Sequence, residues 1–186
     1  DSDKEVEKRI RELMKEVKDS TKESEDKIRE SNERVKESSK RSEDEIRKLM
    51  EELDEIAKRV KDKKDLEELL RRVEETVKKL VDDDKETLRK VLEENRKSVE
   101  DDDRRLREVV ERVERIVREL IRERDKDEDA TRRLKKLLDD LKKEVDDSRR
   151  RNDELIKETE RLIRESAKRN DKLLEDLKKR VDEIRK

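Results

Sequence analysis

Apolar residues return along this chain at steps of three and four, and the pattern as a whole repeats every 18 positions. Eighteen residues make five turns of an undistorted α-helix, so the period predicts straight helices, whereas a strict seven-residue repeat would impose a left-handed supercoil. In the first third the repeats read IRELMKEVKDSTKESEDK from Ile10, IRESNERVKESSKRSEDE from Ile28 and IRKLMEELDEIAKRVKDK from Ile46. The same period runs from Leu70 to Leu88 to Leu106, and again from Leu155 to Leu173 and from Asn152 to Asn170. These are repeats of pattern with non-identical sequence, and no helix-pair module of roughly 33 to 45 residues recurs, which argues against a solenoid.

Without that period the composition would suggest a disordered chain, since 63% of the 186 residues are charged and 26% are hydrophobic. The charges nearly cancel, however: 58 basic residues against 60 acidic ones leave a net charge of −2. A large net charge is half of the usual signature of disorder, and here it is missing, so an apolar stripe at helical spacing decides for a packed bundle.

The same composition closes several functional classes. The chain has no His and no Cys, which removes imidazole and thiol catalysis, the usual zinc, haem and iron-sulfur ligands, and any disulfide. Carboxylates are left as metal ligands, but the acidic runs Asp82 to Asp84 and Asp101 to Asp103 lie on predicted helix, which cannot wrap six or more oxygens around a calcium ion. No apolar run approaches the length of a membrane span, and the opening DSDKEVEKR reads as a charged helix start with no signal region. The strongest basic cluster, Arg149 to Arg151, is flanked by Asp146, Asp147 and Asp153, which reads as a solvated helix face and not as a nucleic-acid contact. The expectation is a soluble protein with no cofactor, no metal, no nucleic acid, no membrane and no targeting signal.

Two stretches interrupt the stripe: KDKKD at Lys61 to Asp65, and RDKDEDA at Arg124 to Ala130. Asp65 followed by Glu68 reads as an N-cap with its reciprocal partner, Asp127 or Asp129 can cap the next helix, and Ser2 with Glu5 forms the same box at the start. The reading is all-α: a single domain over residues 1–186 made of three helices at about 3–61, 66–124 and 129–185, each about 60 residues and roughly 90 Å long. Glycine is absent, so any left-handed residue at a helix end has to be Asp, Lys or Asn.

Short connections make such helices antiparallel neighbours, up, down and up. Facing residues of helices one and two should then have position numbers of constant sum, and those of helices one and three a constant difference. A sum of 126 pairs Val60 with Leu66, Leu53 with Val73, Ile46 with Leu80, Val35 with Val91, Val17 with Val109 and Val6 with Leu120. A difference of 128 matches Val6 to Leu134, Ile10 to Leu138, Leu13 to Leu141, Val17 to Val145, Ile46 to Leu174, Leu49 to Leu177, Leu53 to Val181 and Ile56 to Ile184. Apolar residues beside these positions, Met14, Met50, Val81, Leu155, Leu162 and Leu173 among them, widen the stripe as a compact three-helix core requires. The methionines read as flexible core filler.

The register that aligns apolar residues also aligns polar ones. It stacks Ser24 with Asp102 and Asn152, Ser42 with Asp84 and Asn170, and Ser31 with Asn95 and Thr159. Partly polar layers flank them, Ser20 with Leu106 and Ser148 and Ser38 with Leu88 and Ser166, while Thr21, Asn32 and Ser39 lie one residue along and could extend the networks. A carboxylate only accepts, a hydroxyl donates one bond and an amide donates two, so each Ser-Asp-Asn set can satisfy a buried carboxylate. Asp84 and Asp102 are 18 residues apart on one helix, about 27 Å, and cannot form a catalytic or metal-binding pair. Nine polar layer residues forgo on the order of 10 to 20 kcal/mol of apolar burial, which makes sense as a device that leaves shifted arrangements with unpaired groups.

In its 18-residue period, its aligned polar layers, its lack of Gly, Pro and aromatic residues and its DSD start, the whole chain resembles de novo designed helical bundles with buried hydrogen-bond networks. The resemblance implies a scaffold, an oligomer building block or a switch component; the leading expectation is a synthetic, non-enzymatic scaffold that is a monomer, requires no partner, leaves self-association open and would be cytoplasmic when produced recombinantly. A second reading, from the interaction class, is a homo-oligomer building block or a helix-displacement switch.

Overall fold

The structure, a computed structural model, describes residues 2–123 and 128–186; the side chains of Ser2 and Asp3 lie outside the described set. The described residues form three helices, α1 over Ser2–Arg59, α2 over Lys63–Glu123 and α3 over Glu128–Arg185, and they make a three-helix bundle.

The first connection is shorter than the apolar pattern suggests, because a different aspartate caps α2. The Lys64 backbone N–H donates to Asp62 Oδ1 at 3.0 Å and the Leu66 N–H donates to the Asp62 carbonyl at 3.0 Å, which makes Asp62 the N-cap. Asp65, the cap expected from the sequence, is the third helical residue, where its charge complements the positive end of the helix dipole. The Lys63 to Asp65 segment has no apolar residue because it faces outward, and that absence obscured the helix start. No described residue has positive φ, so the turn needs no left-handed residue and tolerates the absence of glycine. Asp129 falls within the first turn of α3 and is not its cap, while Asp127 and the side chain of Ser2 lie outside the described residues.

Packing divides the chain into two compact units, to which all three helices contribute: unit 1 is Asp1–Arg29 with Glu94–Lys157, and unit 2 is Glu30–Glu93 with Glu158–Lys186. In unit 1, Ile10 and Val17 of α1, Leu106, Val113 and Val117 of α2, and Leu134, Leu141 and Val145 of α3 form one buried cluster. In unit 2 the corresponding cluster joins Ile46, Met50 and Leu53, then Leu70, Val77 and Val81, then Leu173, Leu177 and Val181. A smaller cluster of unit 2 gathers Val35, Leu88 and Leu162.

These clusters carry the register. Leu13, Val113 and Leu141 share one cluster, and so do Leu49, Val77 and Leu177, in agreement with the sum of 126 and the difference of 128. Burial also ranks the positions. Ile46, Leu70 and Val77 of the layers are buried, and so are Met50, Val81 and Leu173 beside them, whereas Leu49, Leu80 and Leu174 of the layers are only partly so. Each helix packs against two others, so its apolar stripe must cover more than one seam, and residues between the seams are enclosed from both sides.

On the outside, charged residues pair along single helices at three- and four-residue spacing, as Arg161 does with Glu158 and Glu165. Such exposed pairs support the helix only slightly, because solvent screens them. Most of the charge of this sequence is therefore helix-supporting surface.

Buried polar layers as the candidate functional site

In unit 1 the polar layer centres on Asp102 of α2, whose exposure is 0%. Asn152 of α3, also buried, donates from Nδ2 to Asp102 Oδ2 at 3.3 Å. Arg105, one turn along α2, reaches Oδ1 at 3.4 Å from a largely exposed position. Burial pushes the Asp102 carboxyl above its ordinary value, because an apolar surrounding disfavours the charged form. The Asn152 hydrogen bond and the Arg105 charge pull it back, while the negative charges of Glu25 and Asp103 push the same way as burial.

In unit 2 the matching layer centres on Asp84, with two donors to one oxygen: Asn170 Nδ2 at 3.2 Å and Ser166 Oγ at 3.4 Å. Ser166 Oγ in turn accepts from Ser39 Oγ of α1 at 3.0 Å, so a single chain of hydrogen bonds crosses all three helices. Thr159 Oγ1 donates to Asn32 Oδ1 at 2.5 Å, also within unit 2.

The two layers are related by the 18-residue period, and one residue breaks the correspondence. Eighteen positions before Ser39 stands Thr21, whose hydroxyl turns back to donate to the Lys18 carbonyl at 3.0 Å. Thr side chains commonly take this backbone bond in helices. Ser148, the counterpart of Ser166, is left buried with no protein partner for its Oγ, and Asn152 Oδ1 and Asn170 Oδ1 are likewise unpaired.

The nine residues singled out from the sequence fall as follows. Asp102, Asn152, Asp84, Asn170, Ser31, Asn95 and Thr159 are buried, while Ser24 and Ser42 are half-buried and make no hydrogen bond to the carboxylates of their layers. Ser31 belongs to unit 2 and Asn95 to unit 1; the bond Thr159 makes within unit 2 goes to Asn32, the neighbour of Ser31. A serine hydroxyl sits one bond from Cβ and has little reach, so a shared layer number does not bring it to a carboxylate. In unit 2 the hydroxyl that reaches Asp84 comes instead from Ser166, one turn from Asn170 on the same face of α3.

The ion pairs that border the layers were not singled out from the sequence. Arg151 donates to Glu25 at 2.7 Å, Arg169 to Glu43 at 2.5 Å and Arg133 to Glu7 at 3.1 Å, each joining α3 to α1 across 126 positions. Glu7, Glu25 and Glu43 are themselves 18 apart, so the same period announces them. Their offset is two less than that of the layers because each Glu follows a layer position and each Arg precedes one, on the sides where the two helices face. Arg149 also pairs closely with Asp103 of α2 in unit 1.

The raised value of Asp102 fixes the sign of a pH effect. In the unfolded chain the carboxyl loses its proton at the ordinary value near 3.8, whereas the folded chain holds that proton to higher pH. Between the two the native state binds more protons, so raising the pH through that window removes stability. Denaturant titrations of the parent and of Asp102→Asn over a pH series should show the parent losing ground to the variant as pH rises from below 3.8. A difference that stays flat, or runs the other way, contradicts the reading.

Chemically the layers offer hydrogen-bonding groups and buried carboxylates but no converging set of reactive groups. No cluster of three or more potential metal ligands occurs among the described residues. No described helix is long and apolar enough to cross a membrane.

No family model matches the chain, and no curated protein matches it. Among solved structures it is similar to one described as a computationally designed three helix bundle, with 22% sequence identity and a TM-score of 0.54. The alignment covers 99% of this chain and 89% of that one. The likeness shows the fold.

Proposed function

We propose that this chain is a designed, non-enzymatic structural scaffold, a single domain and a monomer, in which the buried polar layers specify helix register and packing. The observation that carries the proposal is the repetition of one arrangement at a fixed interval. In each unit a buried aspartate of α2 accepts from the amide of a buried asparagine of α3, and the two sets are 18 positions apart on both helices. An apolar residue would stabilise such a position more, and a carboxylate that must find its donor discriminates against arrangements that lack it.

Light scattering tests the monomer: a particle of 22.7 kDa is expected, and one of about 45 kDa or more, at least twice that mass, sinks it. The role of the layers is tested by replacing Asp84, Asp102, Asn152 and Asn170 together with leucine. The variant should withstand denaturant at least as well as the parent but separate into more than one species by size. A single species of the parent's mass, with dispersed amide spectra, would show that the layers do not specify packing.

A further inference from the structure

We propose that the polar layer of unit 1 binds a buried water molecule, held by Ser148 Oγ and Asn152 Oδ1. Both groups are buried and neither has a protein partner. They lie four residues apart on α3, so their side chains project from the same face on successive turns. Asn152 Nδ2 is committed to Asp102, which leaves the buried Oδ1 as an acceptor in need of a donor. Ser148 supplies a hydroxyl that both donates and accepts. A water between them accepts from Ser148, donates one hydrogen to Asn152 Oδ1 and keeps the other for the Asp102 carboxylate. It would thus have the two to four polar partners, typically about three, that buried waters require.

Unit 2 acts as an internal control. There Ser39 occupies the place that Thr21 holds in unit 1, and its hydroxyl already serves Ser166. Asn170 Oδ1 is unpaired too, but the serine one turn before it is not, so among the described residues two unpaired groups on adjacent turns occur in unit 1. Unit 1 also has a route for exchange. A cleft of about 270 Å³, lined in part by Val99, Glu100, Asp103, Leu106 and Arg149, reaches Asn152 from the surface.

Two measurements test the site. A high-resolution crystal structure of the unaltered chain should show an ordered water within hydrogen-bond distance of both Ser148 Oγ and Asn152 Oδ1. Density without it, or Ser24 Oγ bonded to Asn152 Oδ1 in its place, overturns the proposal. In solution, oxygen-17 relaxation dispersion should show one fewer long-lived water per chain in Ser148→Val than in the parent, and an unchanged amplitude overturns the proposal. If Ser148→Val does not fold by circular dichroism, the crystal structure of the unaltered chain decides.

Discussion

Replacing Asn152 alone by leucine is expected to destabilise the protein by about 1.5 to 3 kcal/mol, the range for a lost hydrogen bond to a charged group, while replacing Asp102 and Asn152 together by leucine should recover that loss and leave the chain at least as stable as the parent. The asymmetry follows from who satisfies whom. Asp102 is fully buried, and Asn152 is the donor that reaches it from another helix. Without that amide the one protein side chain left on the carboxylate, among the described residues, is Arg105 at 3.4 Å, which is mostly in solvent and has little reason to stay. The desolvation of the charge then stands uncompensated.

Removing both partners removes the charge, and two leucines contribute apolar burial in the middle of a layer. The single variant has one escape: the carboxyl can take up a proton, which its burial already favours. Its deficit should therefore shrink in acid, and the advantage of the double variant over the parent should shrink there too, because the parent alone regains stability as Asp102 takes up its proton. Chemical denaturation followed by circular dichroism, at neutral pH and again below the ordinary aspartate range, measures both. Parent-like stability of Asn152→Leu at neutral pH would mean that Asp102 does not depend on Asn152, and a double variant weaker than the single one would mean that the polar pair contributes net stability.

The arrangement of the helices is legible in the sequence because apolar positions are numerous and their spacing is rigid. Leu13, Val113 and Leu141 meet since each helix advances by a fixed rise per residue, so one register holds along its length. Three things escaped that arithmetic, and each depends on atoms beyond Cβ. The cap at Asp62 was obscured because a helix start with no apolar residue leaves no trace in a hydrophobic pattern. The network around Asp84 runs through Ser39 and Ser166 and bypasses Ser42, because hydrogen bonding is decided within about an ångström while layer numbering resolves one turn. The Glu25 and Glu43 pairs were hidden by their own abundance. In a chain with 118 charged residues, 58 basic and 60 acidic, a single Glu and Arg carry no signal until the 18-residue recurrence is followed at an offset of 126 instead of 128.

Thr21 shows the limit of the repeat in the other direction. It stands where Ser39 stands one period later, and a reading by layers treats the two hydroxyls as equivalent. The extra methyl group restricts the rotamers open to threonine, and the hydroxyl bonds to its own backbone. One methyl group thus separates a layer with a continuous chain of hydrogen bonds from one with an orphaned serine.

Leu70→Ala is expected to cost about 2 to 5 kcal/mol, and Ile56→Ala about 1 kcal/mol or less, although the two residues share a layer by the sum of 126. Leu70 is 0% exposed, and the cluster it joins draws on all three helices of unit 2. With no aromatic residue in the chain, that core consists of Leu, Ile, Val and Met, and no large ring is available to swing into a void. Truncation removes three carbons, about 2.4 kcal/mol of transfer free energy at 0.8 kcal/mol per methylene, and the incompletely collapsed cavity adds to it. Ile56 occupies the last turn of α1 and is 43% exposed, so much of its surface is already in water and its loss opens no enclosed cavity. The measurement is the shift in denaturation midpoint of the two variants at constant slope. Equal shifts would mean that layer membership, and not enclosure by the neighbouring helices, sets what each apolar residue contributes.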